Sequence, residues 1–154
     1  KLNTNGIRCT VLTKGVYPKE LSDRNGCSVN NEYGITLVSL NEDFRKEFEP
    51  NSASFRDRIK SLKQLHDKGF KTWVSMEPYP TPNLIKQDLM KILEAVSFVD
   101  KIIFGRLNYS VKSSEFRYTK EFYNSLALFV IKFCKKNKIG YHIKQGTQIW
   151  QRSC

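Results

Sequence analysis

Seven polar residues, Lys14, Ser39, Asn41, Glu77, Arg106, Asn108 and Lys144, stand at or just beyond the ends of runs rich in β-branched and aromatic residues. Three cations, a hydroxyl, two carboxamides and a carboxylate suit a polar ligand with a negative end, such as an amino acid or a nucleoside derivative. Blander roles compete with that one. A lone lysine at a strand end is ordinarily solvated, Ser39 and Asn41 also suit a turn, and Glu77 before Pro78 also suits a loop cap. Other chemistries find no pattern: the chain has no P-loop, GxGxxG, HExxH or GxSxG. His66 reads as a surface or boundary histidine, and His142 has no histidine or cysteine at ligand spacing. Cys9, Cys27, Cys134 and Cys154 are too scattered to define a metal site.

The elements that must position these residues follow from hydrophobic period. Five runs carry a strand signature, at residues 7–13, 33–40, 71–77, 101–107 and 140–144. Three helical stripes lie between them. Phe55, Ile59, Leu62 and His66 make the first, which Gly69 stops. Ile85, Leu89, Ile92, Leu93 and Val96 make the second, and Phe122, Leu126, Phe129, Val130 and Phe133 the third. Residues 15–32, with Pro18, Asn25, Gly26, Asn30 and Asn31, hold at most a helical turn at 19–23. Strand starts 26 to 39 residues apart match the ~30 or more of a βαβ unit. The expectation is an α/β fold of about five parallel strands with helices on the outside, either an open sheet or a fragment of a TIM-type (β/α) barrel. Such folds place their sites at the carboxyl ends of the strands, where the seven residues stand.

A length of 154 residues with 40% hydrophobic content predicts one compact domain, residues 1–154. The longest apolar run, residues 126–131, is far below the ~18 needed to span a bilayer, so no membrane association is expected. Sparse cysteines suggest reduced thiols and a cytoplasmic setting. The opening Lys1-Leu2-Asn3-Thr4-Asn5 has neither an initiator methionine nor signal-peptide character, and reads as the start of a piece of a longer protein. A net charge of +11 raises an anionic partner. The competing reading is therefore a basic nucleic-acid-binding module without catalytic activity, with cations and aromatics interleaved in Phe116-Arg117-Tyr118 and in residues 133–138. Lys132, Lys135, Lys136 and Lys138 also suit the wet face and basic last turn of a helix.

In combination, several segments resemble the radical S-adenosylmethionine superfamily, in particular its spore photoproduct lyase-like, DNA repair photolyase-like group. They are Val11-Leu12-Thr13-Lys14, Gly34-Ile35-Thr36-Leu37-Val38-Ser39-Leu40-Asn41, Phe48-Glu49-Pro50-Asn51-Ser52 with Arg58-Ile59, Gly69-Phe70, and Thr72-Trp73-Val74-Ser75-Met76-Glu77-Pro78. The likeness runs over residues 7–84. The tail, Phe104-Gly105-Arg106-Leu107-Asn108-Tyr109, Tyr141-His142-Ile143-Lys144 and Thr147, looks like less studied bacterial members.

The resemblance implies a partial (β/α)6 barrel, of which this chain is the C-terminal portion from the third strand onward. Members carry a [4Fe–4S] cluster on a CxxxCxxC loop, take electrons from a donor, and cleave S-adenosylmethionine to a 5′-deoxyadenosyl radical. Neither Cys9 nor Cys27 stands in such a motif. The cluster is thus expected only in a longer protein, with CxxxCxxC roughly 60 to 120 residues upstream, and this chain alone is not expected to be active. By the same resemblance Lys14 looks like the lysine that meets the cofactor's carboxylate, and Ser39 like a ribose-binding serine with Asn41 beside it. Arg58 either contacts ligand or pairs with Glu49 to brace the loop. Glu77 is assigned to the cofactor, and Arg106, Asn108 and Lys144 to the substrate. Met76 and Pro78 line an adenine pocket or simply pack. The superfamily acts on peptides, tRNA, DNA and small molecules, so a nucleic-acid substrate is one class among several.

Overall fold

Five runs of the chain pair as strands: β1 (Thr10–Thr13), β2 (Glu32–Thr36), β3 (Lys71–Tyr79), β4 (Lys101–Arg106) and β5 (Gly140–Ile143). They come from a computed structural model that describes residues 2–22, 30–108 and 111–148. Every pair is parallel and the order is β1-β2-β3-β4-β5. Parallel crossovers are right-handed, so a sheet that always steps to its next neighbour carries all its helices on one face. Those helices are α1 (Glu42–Phe48) and α2 (Phe55–Asp67) after β2, α3 (Leu89–Ala95) after β3, and α4 (Val111–Ser114) and α5 (Thr119–Asn137) after β4. The result is an α/β sheet wound in one direction, an open arc of a TIM-type barrel.

Strand residues in register share a face. Tyr33, Ile35, Val74, Met76, Ile102 and Phe104 turn to the helices and pack with Leu62, Leu65, Leu93, Ala127 and Val130. Each side chain buried this fully contributes about 1.5–3 kcal/mol of transfer free energy. The opposite face carries no helix. Gly34, Trp73, Ile103 and Gly105 lie on it, and the Trp73 ring fills the space a side chain at Gly34 would need, since a Cβ there would lie 2.3 Å from Cε2. Tyr17 ties this end of the sheet together: its hydroxyl donates to Gly34 O (2.6 Å) and accepts from Gly34 N (3.0 Å).

Local signals explain most boundaries. Ser54 caps α2, accepting from Asp57 N at 3.1 Å. Gly69, at φ +81°, ends the same helix through Gly69 N to His66 O and Phe70 N to Leu65 O. α3 begins at Leu89 rather than Ile85, because Asp88 caps it through Met90 N (2.9 Å) while Ile85 closes a turn onto Thr81 O. β1 begins at Thr10, not Ile7, which follows a 3-10 turn at Asn3–Asn5. The turn expected at 19–23 is a 3-10 turn at Lys19–Ser22. Asp23, Asn25, Gly26, Cys27, Tyr109 and Cys154 lie outside the described residues. Among the described residues no helix is long and apolar enough to cross a membrane.

Candidate functional site

All five strands present their carboxyl ends along one edge, and the polar residues there fall into separate groups. At the β1–β2 end, Glu49 closes α1 and is buried with both carboxylate oxygens occupied. Lys14 Nζ lies 3.0 Å from Oε1, and Arg58 Nη2 lies 2.9 Å from Oε2. Arg58 is 2% exposed and donates from Nη1 to Thr36 O at 2.8 Å, so it reaches the edge only through Glu49. Of the two roles raised for Arg58, ligand contact or a pair with Glu49, the structure shows the pair. Lys14 is half-exposed and keeps a solvent-facing side on which to meet an anion. Nearby, the Arg45 side chain donates to Glu42 (2.6 Å) and holds its carboxyl below the usual range.

Ser39 and Asn41 stand together above β2. The Ser39 hydroxyl accepts from Asn41 N (3.1 Å), and Asn41 Oδ1 caps α1 through Phe44 N (2.9 Å). They line a depression with Gln87, Asp88 and Lys91, and Gln87 Nε2 donates to Val38 O at 2.8 Å. Their neighbours here belong to the loop and first turn of α3.

A third group sits on the bare face. Glu77 Oε2 and Lys144 Nζ are 3.3 Å apart. Glu77 occupies the space over Gly105, where a Cβ would lie 2.8 Å from Cδ. The Glu77–Pro78 peptide bond is cis, and the β3–β4 register shifts between Met76 and Tyr79. Arg106 alternates to the other face, beside the α5 residue Tyr123. Its backbone N–H donates to Thr147 Oγ1 at 3.3 Å. The Tyr123 hydroxyl donates to Tyr79 O (2.6 Å) and accepts from Leu107 N (3.0 Å), locking β3, β4 and α5. Asn108 is exposed beyond β4, Met76 is fully buried in the core, and Pro78 is exposed.

The cations therefore do not form one cluster: Lys14 takes Glu49, Lys144 takes Glu77, and the Arg106 guanidinium has no carboxylate at ion-pair distance among the described residues. Gln87 and Gln148 carry no signal in the sequence, and Trp73, Gly34 and Gly105 stand there only within the segments of the resemblance, though glycine inside a strand is itself a sign of close approach. At the amino end of the sheet, His66 Nδ1 lies 3.0 Å from Thr72 Oγ1, which also contacts Asp100 Oδ2 (3.1 Å). His142 is exposed. Cys9 precedes β1 at that same end. Cys134 is buried within α5, where burial pushes its thiol up to about 11. Among the described residues no three histidine, cysteine or acidic side chains gather as a metal site.

No protein-family model matches this chain, and no curated protein does. Solved structures do. Streptococcus suis SuiB aligns over 90% of this chain and 33% of its own, with a TM-score of 0.63 at 15% identity. Spore photoproduct lyase complexed with dinucleoside spore photoproduct aligns over 88% of this chain and 50% of its own, with a TM-score of 0.59 at 14% identity. The chain shares its fold with part of each of these two structures. The chain spans about a third of the first protein and half of the second, and at such identities the likeness is one of fold.

Proposed function

We propose that residues 1–154 form a single domain, the C-terminal portion of a radical S-adenosylmethionine barrel, which binds that cofactor along the carboxyl edge in a cytoplasmic enzyme. The observation that carries this reading is the edge itself: a sheet wound one way, bare on one face, with half-exposed Lys14, Glu77 and Lys144 at its strand ends. The residues fit the cofactor. Glu77 and Lys144 over the Gly105 floor offer a carboxylate and an ammonium, the complement of an amino acid's own charges. Lys14 offers a second point charge for a carboxylate, and Ser39 and Asn41 a hydroxyl and an amide for the ribose, while Arg58 positions Glu49 and through it Lys14. When bound, S-adenosylmethionine supplies hydrogen-atom abstraction after reductive cleavage, and the protein's part is to hold and orient it.

A [4Fe–4S] cluster does not fit the described residues, since Cys9 lies at the opposite end of the sheet and Cys134 is buried. The reading therefore requires the cluster loop, and the docking of an electron donor, elsewhere in the polypeptide. Reading the gene upstream of Lys1 for CxxxCxxC tests that directly. Calorimetric titration of the chain with S-adenosylmethionine tests the edge: Lys14→Ala and Glu77→Gln should each weaken binding about tenfold. Affinity unchanged in both variants would overturn the assignment.

The second reading, a basic nucleic-acid module, draws on the +11 charge and on exposed Lys135, Lys136 and Lys138 at the end of α5. The lyase neighbour's dinucleoside ligand also makes a nucleic-acid substrate compatible with the first reading. Filter binding of DNA at low salt, retained by the chain and lost steeply as salt rises, would support it, and absence of retention would remove it.

A further inference from the structure

The charges along the carboxyl edge do not balance evenly. Lys14 and Arg58 share Glu49, and Lys144 has Glu77. Among the described residues Arg106 alone of the strand-end cations has no carboxylate at ion-pair distance. Its guanidinium is half-buried, and its Nε is sealed from water without an acceptor among those residues. A charge so placed is costly to leave uncompensated.

The same corner holds other unused donors. Gln148 Nε2 is likewise buried without an acceptor among the described residues. Thr147 between them is 1% exposed, and its hydroxyl oxygen receives the Arg106 backbone N–H, which leaves the hydroxyl's own proton to donate. The turn that carries them is closed by Thr147 N to Lys144 O (3.0 Å) and passes through Gly146 at φ +77°. At Gly146 a Cβ would lie 3.9 Å from Arg106 Nη2, so the guanidinium faces a position with no side chain. The guanidinium, the carboxamide N–H and the remaining hydroxyl proton can each donate to an oxyanion, and the guanidinium's charge disfavours a cation there.

We infer that the β4–β5 end is an oxyanion subsite, in which Arg106, Thr147 and Gln148 hold a phosphate or carboxylate group of the molecule processed beside the bound cofactor. The inference rests on the proposed cofactor site and names the class of substrate that site takes, a small molecule or residue ending in an oxyanion. An oxyanion bound there would give Arg106 Nε–H the acceptor it lacks among the described residues.

Two-dimensional NMR of the chain, following the Arg106 side-chain Nε–H signal during titration with inorganic phosphate and separately with acetate, tests it. A saturable shift of that signal is expected. The stronger of the two titrants tells a phosphate from a carboxylate source. Arg106→Gln should weaken the binding about tenfold or more, and Arg106→Lys, which keeps charge but loses the planar fork, should fall between. If Arg106→Gln does not fold, Gln148→Ala and the wild-type signal decide. An Arg106 Nε–H signal indifferent to both anions, or equal affinity in Arg106→Gln, overturns the subsite. S-adenosylmethionine titrated into the same samples separates the failures: cofactor binding that survives while the anion does not leaves the barrel reading standing.

Discussion

The two ends of one carboxyl edge handle charge in opposite ways. At the β1–β2 end Glu49 and Arg58 are both buried and paired with each other, Arg58 leaving only its Nε without an acceptor among the described residues, and of this triad only Lys14 reaches solvent. At the β4–β5 end the Glu77–Lys144 pair is half-exposed, and Arg106 is left with no counter-charge among the described residues. Buried and balanced charge holds a fold together, whereas charge that is reachable and unbalanced is available to a ligand. Polar residues at strand ends are thus of two kinds, and the measurements below separate them.

The largest effect falls on both ends alike. Burial pushes the hydroxyls of Tyr17 and Tyr79 up to about 12, and the Cys134 thiol up to about 11. Their folded pKa values lie above the unfolded ones. Their contribution is therefore complete at neutral pH and is lost as pH rises from about 9 towards 12, because the unfolded chain gives up these protons first. The loss is of order 3 kcal/mol per tyrosine at the top of that window. Urea midpoints should be flat from pH 7 to about 9 and then fall, and a Tyr17→Phe variant should fall less steeply. A flat midpoint up to pH 11 would show that these groups are not sealed.

The contrast between the ends is sharpest in their arginines. Glu49→Gln leaves Arg58 buried without its carboxylate and should cost about 3–5 kcal/mol in urea unfolding. Arg106→Gln removes a charge that has no partner and should change stability by no more than about 1 kcal/mol in either direction. Similar losses in the two variants would erase the distinction between a structural and an available charge.

Much of this architecture is visible in the residues. β-Branched runs mark the five strands, the i, i+4, i+7 stripe with Gly69 marks α2, and the family resemblance offers the Glu49–Arg58 pair as one of two roles for that arginine. What stays hidden has physical causes. α1 is seven residues with only Phe44 and Phe48 as an apolar pair, too short for a period to show. Its capping residue, Asn41, gives in sequence the same signal as a ligand-binding amide: a polar side chain just past a strand. α3 starts late because a turn on Thr81 and the Asp88 cap override an apolar stripe that extends back to Ile85. The register shift after Met76 sets Glu77 over Gly105, a pairing that simple alternation along two strands does not yield.

The two inner-face glycines test the ends at a smaller scale. A Cβ at Gly34 would lie 2.3 to 2.8 Å from the Trp73 ring, which is rigid, so Gly34→Ala should cost about 1–3 kcal/mol. At Gly105 the obstacle is the flexible Glu77 side chain, 2.8 Å from the new carbon, which can rotate away. Gly105→Ala should therefore lose less than about 1 kcal/mol of stability. It should still weaken S-adenosylmethionine binding, because the moved Glu77 no longer meets Lys144. Urea unfolding and calorimetry on the same two variants give both numbers.

The smallest expected effects belong to the lysines. Lys14 and Lys144 are each about half exposed, at 46% and 47%, and water screens both pairs, so Lys14→Ala and Lys144→Ala should each change unfolding free energy by less than about 1 kcal/mol. Glu49 retains Arg58 when Lys14 is removed, which is why the buried pair survives the loss of its outer member. A cost near that of Glu49→Gln in Lys14→Ala would mean that the lysine is part of the structural lock, and that the β1–β2 end offers a ligand no charge. Indifference in stability together with weakened cofactor binding would instead place the boundary between holding the fold and holding a ligand within a single triad, between Glu49 and Lys14.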